Sequence, residues 1–306
     1  MTASTPPPGP VPPDTTAHLD STAQLMNQIT AQLSSRLRTV GMRSLRRPHG
    51  DRRNTRPPTL VAVAHGSRDP RARDTVLTLL DLVRALRPGL PVRLGHIEID
   101  EPLLSATLAG LRGDAVLVPL LFGRGHHVKH DLPQAAAEAP HLRLSTALPL
   151  GPHPLLAEAL HSRLAEAGWR LPGRPGGPAR SGVVLAAAGS RDPDSAADTA
   201  RTAGLLGARL GGVPVLPAYA SAAGPSVPEA VAALRASGRD RIAVASYFTA
   251  PGRFSAQCAG LAPGVAAEPL GAHPALARLV LHRYDEAVAA SADLSGLTGE
   301  PHLASA

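Results

Sequence analysis

From Thr59 onward, short runs of Val, Ala and Leu alternate with longer stretches in which apolar residues recur at helical spacing. The run Leu60–Ala64 predicts a strand. After Asp69 and Pro70, the stretch TVLTLLDLVRAL predicts a helix that carries proline at its first position and ends before Pro88. Strands that alternate with helices in this way are typical of a parallel sheet with helices packed on it.

The segments that follow continue the alternation. They are the predicted strand PVRLGHIEI, the helix LLSATLAGL, the strand AVLVPLL, the loop FGRGHHVKHDLP with a short helix after it, the strand-like LRLSTALPL and the helix HPLLAEALHSRLAEA. The strand AVLVPLL is apolar at nearly every position and therefore needs cover on both faces. It is predicted to lie inside the sheet.

The whole pattern occurs twice. VAVAHGSRDP at Val61–Pro70 aligns with VLAAAGSRDP at Val184–Pro193, and LGPHPLLAEAL further along aligns with LGAHPALARLV. A repeat of this length indicates two copies of one domain. We therefore predict an α/β fold of two tandem flavodoxin-like domains, each with a mainly parallel sheet flanked by helices.

Changes in composition set the predicted domain boundaries. Residues 1–58 are rich in Pro, Thr and Arg and are predicted to be a disordered basic tail, with one helix-like patch at STAQLMNQITAQLSSRL. A Gly/Pro-rich linker is predicted at 171–181. The first domain is then expected at 59–170, the second at 182–291 and a C-terminal tail at 292–306.

Charge is concentrated in the predicted tail. The chain carries a net charge of +7, and residues 1–58 hold eight Arg and three acidic residues, so the rest is close to neutral. A basic arm that binds nucleic acid is one interpretation. No DNA-binding motif accompanies the arm, and an aromatic content of 2% leaves few side chains for base stacking. We expect no nucleic-acid partner.

Cysteine content and hydropathy indicate the compartment. Cys258 is the only cysteine, so an intrachain disulfide is impossible and a reducing environment fits. No apolar run approaches the roughly 18 residues of a membrane-spanning helix, and the first residues do not have the pattern of a secretory signal. We expect a cytoplasmic protein with no membrane partner.

The two copies differ in residues that can carry chemistry. The turn GSRDP is present in both, so the histidine before it is not required for folding. The first copy has three side chains that the second lacks, namely His65, Glu98 and His127. At the corresponding positions the second copy has Ala188, Ser221 and either Arg253 or Phe254.

His65 ends the first predicted strand, Glu98 lies at the end of the second, and the loop with His127 follows the third. The carboxyl ends of parallel strands meet at one edge of a sheet, so we expect the side chains to converge on one crevice. Two imidazoles and a carboxylate suit a divalent first-row metal such as Fe, Co, Ni or Zn, and the ligands alone do not select among these metals. Structural alternatives are a hydrogen-bonded strand end for His65, a solvated strand end for Glu98 and a surface loop position for His127.

The histidine-rich loop leaves the second ligand open. His126 and His130 flank His127, so either His126 or His127 could partner His65. His153 and His273 occur in both copies just before a proline. These two are predicted to begin helices rather than to bind metal.

Three motifs resemble those of a known family over about residues 59–291. HGSRDP after a strand, HIEIDEP and LFGRGHHVKHDLP are similar to the sirohydrochlorin chelatases of the CbiX and SirB type, the class II chelatases. The resemblance implies a lyase that inserts a divalent metal into sirohydrochlorin, toward siroheme or cobalamin. The metal is then a substrate, Fe²⁺ first, Co²⁺ second and Ni²⁺ third, and no prosthetic group is expected. His65, His127 and Glu98 are the implied catalytic and metal-binding residues.

The resemblance also suggests how the substrate is bound. Sirohydrochlorin carries many carboxylates, which favour basic and hydrogen-bonding groups near the metal site, and the candidates are Arg68, Arg124, Lys129 and Ser67. Short family members are similar to one half of this chain and pair as homodimers. This chain is therefore expected to be a fused pseudo-dimer that acts as a monomer, in which the second copy completes the cleft.

Two other functions remain open at this point. The same cleft could belong to a non-catalytic metal or tetrapyrrole carrier, which would bind without turnover. A flavodoxin-like regulator could instead act on nucleic acid through the basic tail, with salt-sensitive binding.

Overall fold

The computed structural model describes residues 56–170, 180–222 and 224–297. The helix-like patch of the predicted tail, most of the predicted linker and the end of the predicted C-terminal tail lie outside these residues. In the part of the chain so described, no helix combines the length and apolar character that crossing a bilayer requires.

The first half contains a four-stranded parallel sheet with the strand order β2-β1-β3-β4. Its strands are β1 (Thr59–Ala64), β2 (Val92–His96), β3 (Gly113–Pro119) and β4 (Leu142–Thr146). Its helices are α1 (Pro70–Leu86), α2 (Leu104–Ala109), α3 (Leu132–Ala137) and α4 (Pro154–Glu166), and a π-helical turn at His127–Asp131 leads into α3.

The second half repeats this order as β6-β5-β7-β8, again with all pairs parallel. Its strands are β5 (Ser181–Ala187), β6 (Val215–Tyr219), β7 (Arg241–Ser246) and β8 (Val265–Ala266). Its helices are α5 (Pro193–Arg209), α6 (Val227–Ala236), α7 (Arg253–Gly260) and α8 (Pro274–Leu297). The α/β fold of two tandem parallel-sheet domains is confirmed. Helix α8 extends to Leu297, past the boundary predicted at residue 291.

The predicted helix starts are confirmed as well. Asp69 and Asp192 precede α1 and α5, and each carboxylate accepts a hydrogen bond at 3.0 Å from the backbone N–H two residues further on. His153 and His273 begin α4 and α8 in the same way, because each Nδ1 accepts from the second following backbone N–H at 3.1 Å. These side chains satisfy N–H groups that the helix itself leaves without acceptors.

Each sheet is buried on both faces. In β1, Leu60, Ala62 and Ala64 face an inner core, whereas Val61 and Val63 face an outer one. Strand β5 alternates in the same manner. The outer cores are closed by α2 and α3 in the first half and by α6 and α7 in the second. The inner core is continuous between the two halves, and α1, α4, α5 and α8 all contribute to it.

The last helix of each half packs on the other half. Helix α4 packs against α5 and β7 of the second half, while α8 packs against α1, β3 and β4 of the first. Polar contacts are exchanged in the same way: Arg163 of α4 donates to the Leu270 carbonyl at 2.7 and 3.1 Å, and Arg283 of α8 donates to the Leu150 carbonyl at 3.4 Å. The two domains predicted from the sequence therefore share their terminal helices.

This exchange gives a prediction about stability. Leu279 of α8 is fully buried in the shared core, whereas Leu77 of α1 is 38% exposed. Leu279→Ala is expected to lower the free energy of unfolding by about 2–5 kcal/mol, and the matched control Leu77→Ala by less than about 0.5 kcal/mol. Denaturant unfolding measures both values.

Hydrogen exchange would locate the effect of Leu279→Ala. Because α8 lies on the first sheet, amide protection should fall in β3 and β4, far away in sequence from the substitution. A loss of protection confined to residues 181–297 would contradict the exchanged arrangement.

Candidate active site

A tight turn at the end of β1 positions the first site residue. Gly66 has φ +103°, and a Cβ at this position would lie 1.8 Å from the Glu98 carbonyl oxygen, so only glycine fits. The close approach lets the Glu98 N–H donate to the His65 carbonyl at 3.0 Å. Gly189 and Ser221 repeat the same geometry in the second half. The backbone of the site is thus present in both copies.

His65, Glu98 and His127 lie together at the carboxyl edge of the first sheet. The rings of His65 and His127 meet edge to face, with centroids 4.6 Å apart, and His65 Nε2 lies 3.5 Å from Glu98 Oε1. His65 follows β1 and His127 follows β3, the two neighbouring strands between which the order of the sheet reverses. Parallel sheets of this type bind ligands at that position. All three side chains remain partly open to solvent.

Asp131 is a site residue that the sequence analysis missed. Its Oδ2 lies 2.5 Å from His127 Nδ1. A carboxylate accepts, so Nδ1 carries the proton and Nε2 is left free to bind a cation. The π-helical turn brings residues four apart together and begins where the Val128 and Lys129 N–H groups both donate to the Gly125 carbonyl. The segment was expected to be a loop, and the H-x-x-x-D spacing was the signal available in the sequence.

The structure distinguishes between the two candidate histidines. His127 contacts His65, whereas the ring of His126 lies 6.1 Å from that of His127 and its side chain is 72% exposed. His126 pairs with His130 instead, with ring centroids 4.6 Å apart. His127 is therefore the histidine that can act together with His65.

The three predicted ligands form a loose set. Glu98 approaches His65 but does not form an ion pair with His127. Within the described ranges, no group of three or more His, Cys, Asp or Glu side chains is arranged to hold a metal ion. A cation between His65 and His127 would keep most of its coordination positions for water or for another ligand. Such a site is chemically unlike a closed four-ligand structural site.

Arg124 has a partner that the sequence analysis did not anticipate. Its backbone N–H and Nε donate to Asp198 Oδ2 at 3.1 and 3.0 Å, and Nη2 donates to Oδ1 at 2.8 Å. The Asp198 side chain is fully buried in α5 of the second half. The hydrogen bond from Arg124 to Asp198 raises the pKa of the guanidinium. Arg124 thus joins the loop after β3 to the other half.

Lys129 is engaged in the same way. Its Nζ lies 2.7 Å from Asp192 and 2.9 Å from Asp194, both at the start of α5. These hydrogen bonds raise the pKa of the Lys129 ammonium and lower the pKa values of the two aspartates. The positive charges of Arg124 and Lys129, both predicted to bind substrate, are thus already offset by carboxylates of the second half.

The other two predicted substrate-binding residues lie in the turn after β1. Ser67 Oγ accepts a hydrogen bond from the Asp69 N–H at 3.1 Å, and Ser190 Oγ makes the same contact in the second half. Capping the turn therefore accounts for the serine in both copies. Arg68 is exposed and, among the residues described, has no acidic partner.

The second half presents different side chains on the same scaffold. The Leu150 N–H donates to the Leu121 carbonyl, and the Leu270 N–H donates to the Phe248 carbonyl, which fixes the alignment of the two loops. By this alignment Gly252 matches Gly125, and Arg253 and Phe254 match His126 and His127. Phe254 therefore stands at the position of His127.

The two loops meet the opposite halves symmetrically. A Cβ on Gly125 would lie 3.5 Å from Ser190 Oγ, and one on Gly252 would lie 3.5 Å from Ser67 Oγ. Arg253 follows directly after Gly252 and is exposed, with its guanidinium 5.6 Å from the centre of the Phe254 ring. The second half thus brings an arginine and an aromatic ring next to the turn that carries His65 and Arg68.

Comparison with known sequences gives matches in both halves. The sequence model of the CbiX family matches residues 59–167 and again residues 182–287. The sirohydrochlorin ferrochelatase of Bacillus subtilis is 30% identical over 179 residues, which are 56% of this chain and 66% of that protein. This chain thus matches just under two thirds of that relative's length.

A shorter relative matches about a third of the chain. The sirohydrochlorin cobaltochelatase of Methanosarcina acetivorans is 28% identical over 123 residues, 35% of this chain and 95% of that protein. Among solved structures, SirB from Bacillus subtilis with Fe³⁺ has a TM-score of 0.61 at 24% identity, covering 77% of this chain and 97% of that chain. This similarity shows a common fold.

The contact between Asp131 and His127 gives a prediction. Asp131→Asn removes the charged acceptor that orients His127, and it is expected to weaken the binding of Co²⁺ by about 10–100-fold. Anaerobic calorimetric titration measures the affinity. The control Asp114→Asn changes a carboxylate at the opposite end of β3, where Asp114 pairs with Arg143, and should leave the affinity unchanged. Equal affinities for Asp131→Asn and the unsubstituted protein would contradict the role of Asp131.

Proposed function

The chain belongs to the CbiX family, and we propose that it is a metal chelatase that inserts a divalent cation into sirohydrochlorin. The matches in both halves bear out the resemblance predicted from the sequence motifs. The names of the relatives, sirohydrochlorin ferrochelatase and sirohydrochlorin cobaltochelatase, support this substrate and this reaction. The enzyme would then be a lyase for which both the metal and the tetrapyrrole are substrates.

One observation carries the proposal. Two imidazoles lie 4.6 Å apart, with a carboxylate 3.5 Å from one of them, where β1 and β3 end. The second half has the same backbone at this position but neither imidazole. Side chains that the fold does not require, and that only one copy carries, are best explained by a role in binding or catalysis. In our proposal His65 and His127 bind the metal and Glu98 assists deprotonation.

The residue types suit the reaction. Insertion exchanges one divalent cation for two pyrrole N–H protons, so two protons must leave as the metal enters. Glu98 can accept one proton beside His65, and an imidazole that releases the metal can accept the other, as the metal moves onto the macrocycle nitrogens. Neutral imidazoles bind the incoming ion, and its remaining positions stay open to water and then to the macrocycle. Weak, incomplete coordination by the protein lets the metal leave the site.

In this proposal, exposed arginine side chains bind the carboxylates of sirohydrochlorin. Arg68, Arg191 and Arg253 are exposed, and within the described part of the chain none of them has an acidic partner. We assign Arg68 and Arg253 to the carboxylates of sirohydrochlorin, with Ser67 beside them and Phe254 supplying an apolar surface. Arg124 and Lys129 would act indirectly, because they hold the loop of His127 on the second half.

The physiological metal and the cellular setting are also proposals. Fe²⁺ and siroheme are the first choice and Co²⁺ and cobalamin the second, and the names of the relatives support both metals. No such name supports Ni²⁺. We place the protein in the cytoplasm, since a chain with a single cysteine cannot form an intrachain disulfide. The shared terminal helices support a fused pseudo-dimer that acts as a monomer. We propose neither a nucleic-acid nor a membrane partner.

A non-catalytic metal or tetrapyrrole carrier is the second candidate function. Its support is the partial exposure of the histidine site, which would serve binding as well as turnover. An anaerobic assay distinguishes a chelatase from a carrier. A substoichiometric amount of the protein is mixed with sirohydrochlorin and Fe²⁺ or Co²⁺. A chelatase accelerates the absorbance change of metallation over many equivalents, whereas a carrier changes at most one equivalent per binding site.

The histidines provide the direct test. His65→Ala and His127→Ala each remove one metal ligand and are expected to abolish metallation of sirohydrochlorin, while circular dichroism stays unchanged because the second half folds with Ala188 at the same turn. The initial rate of the absorbance change is the measurement. His141→Ala, on the far edge of the sheet, is the matched control. Full activity in both site variants would end the assignment.

The two exposed arginines give a second test. Arg68→Ala combined with Arg253→Ala removes two charge-assisted contacts and is expected to raise the KM for sirohydrochlorin about tenfold or more. The KM for the metal should change little. Arg112→Ala is a control, because this guanidinium donates to the Ala109 and Leu111 carbonyls before β3. An unchanged KM for sirohydrochlorin in the double variant would remove both residues from the substrate site.

A further inference from the structure

Two histidines beside the proposed active site have no role in it. The rings of His126 and His130 lie 4.6 Å apart with an interplanar angle of 36°, and both residues are exposed. They are four residues apart and lie on one side of the π-helical turn that positions His127. Two imidazoles four residues apart on one face of a helix are a known arrangement for binding a first-row metal.

The surroundings of this pair favour a cation. Asp131 Oδ1 lies 3.8 Å from His126 Nε2, while the other oxygen of the same carboxylate contacts His127. The nearby positive charge of Lys129 is offset by Asp192 and Asp194, both within 3 Å of its Nζ. A divalent cation that approaches the two histidines therefore meets a carboxylate and no unpaired ammonium group.

We propose that His126 and His130 form a second, surface-exposed binding site for a divalent first-row cation. The two imidazoles supply two ligands, and water fills the remaining positions, which agrees with the lack of a third protein ligand in the residues described. Imidazole binds Co²⁺, Ni²⁺ and Zn²⁺, so none of these is selected by ligand type alone.

The position of the site suggests its use. His126 lies 6.1 Å from His127 between ring centroids, and one carboxylate, Asp131, faces both rings. A hydrated cation captured at His126 and His130 has a short path to His127 and then to His65. The supply of metal along this path rests on the proposed function, whereas metal binding at His126 and His130 does not.

The second half provides an internal comparison. By the backbone alignment of the two loops, Arg253 stands at the position of His126 and Gln257 at that of His130. A guanidinium and an amide cannot form this site. Like the pair His65 and His127, the surface pair occurs in the first copy alone.

Metal stoichiometry tests the inference without the tetrapyrrole. The full-length protein is titrated anaerobically with Co²⁺, with calorimetry and visible absorption as readouts. His126→Ala/His130→Ala and His65→Ala/His127→Ala should each lose one equivalent relative to the unsubstituted chain. The combined fourfold variant should lose two equivalents. His141→Ala, which removes an exposed histidine hydrogen-bonded to the Leu108 carbonyl, should lose none.

The possible results separate this site from the proposed chelatase activity. Unchanged stoichiometry and affinity in His126→Ala/His130→Ala would overturn the inference. The inference would also be overturned if each double variant lost one equivalent of Co²⁺ and the fourfold variant lost only one as well. All four histidines would then belong to one site. Loss of separate equivalents supports the second site even if sirohydrochlorin is not metallated. Circular dichroism identifies a variant that has lost its fold, and His126→Gln/His130→Gln then replaces it.

Discussion

The burial of the inner faces of the two sheets depends on an exchange of helices between the halves. Each sheet presents an apolar face made of aliphatic side chains, such as Leu60, Ala62 and Ala64 in β1. The helix that follows the fourth strand packs mainly on the other half. Neither half has a complete inner core by itself. With an aromatic content of 2%, there are few large rings to fill a gap, so the close fit of Ala, Val and Leu across the two halves has to supply the packing.

This mutual dependence explains how the second copy could lose its chemical groups and still be required. Its turn keeps Gly189, because a Cβ there would meet the Ser221 carbonyl at 1.8 Å, but the fold places no demand on the side chain before it. Ala188 and Phe254 are therefore compatible with the scaffold. The interface has diverged as well: Arg124 and Asp198 bond across one side, whereas at the equivalent place Pro251 and Thr75 border a cavity of about 450 Å³.

The sequence predicted the structural elements that depend on interactions between residues close together in the chain. The strand, the turn with Asp69, and the helix starts at His153 and His273 follow from short-range patterns, and the repeat then gave the fold of both halves. The exchange of α4 and α8 was not visible, because an amphipathic helix shows that it has a buried face but not which sheet that face meets. Arg124 and Lys129 were expected to face substrate for a similar reason, since their partners lie more than 60 residues away.

The same argument applies to the candidate site. Comparing the two copies identified His65, Glu98 and His127, because a duplicated scaffold separates what the fold needs from what one copy adds. It could not identify Asp131, since the π-helical turn that joins its carboxylate to His127 was expected to be a loop. That turn also sets the character of the site: Asp131 holds His127 from one side, while the side chains of His65, Glu98 and His127 stay partly open to solvent. In the chelatase that we propose, a site built in this way would bind the metal without enclosing it, which is the condition for passing the metal on.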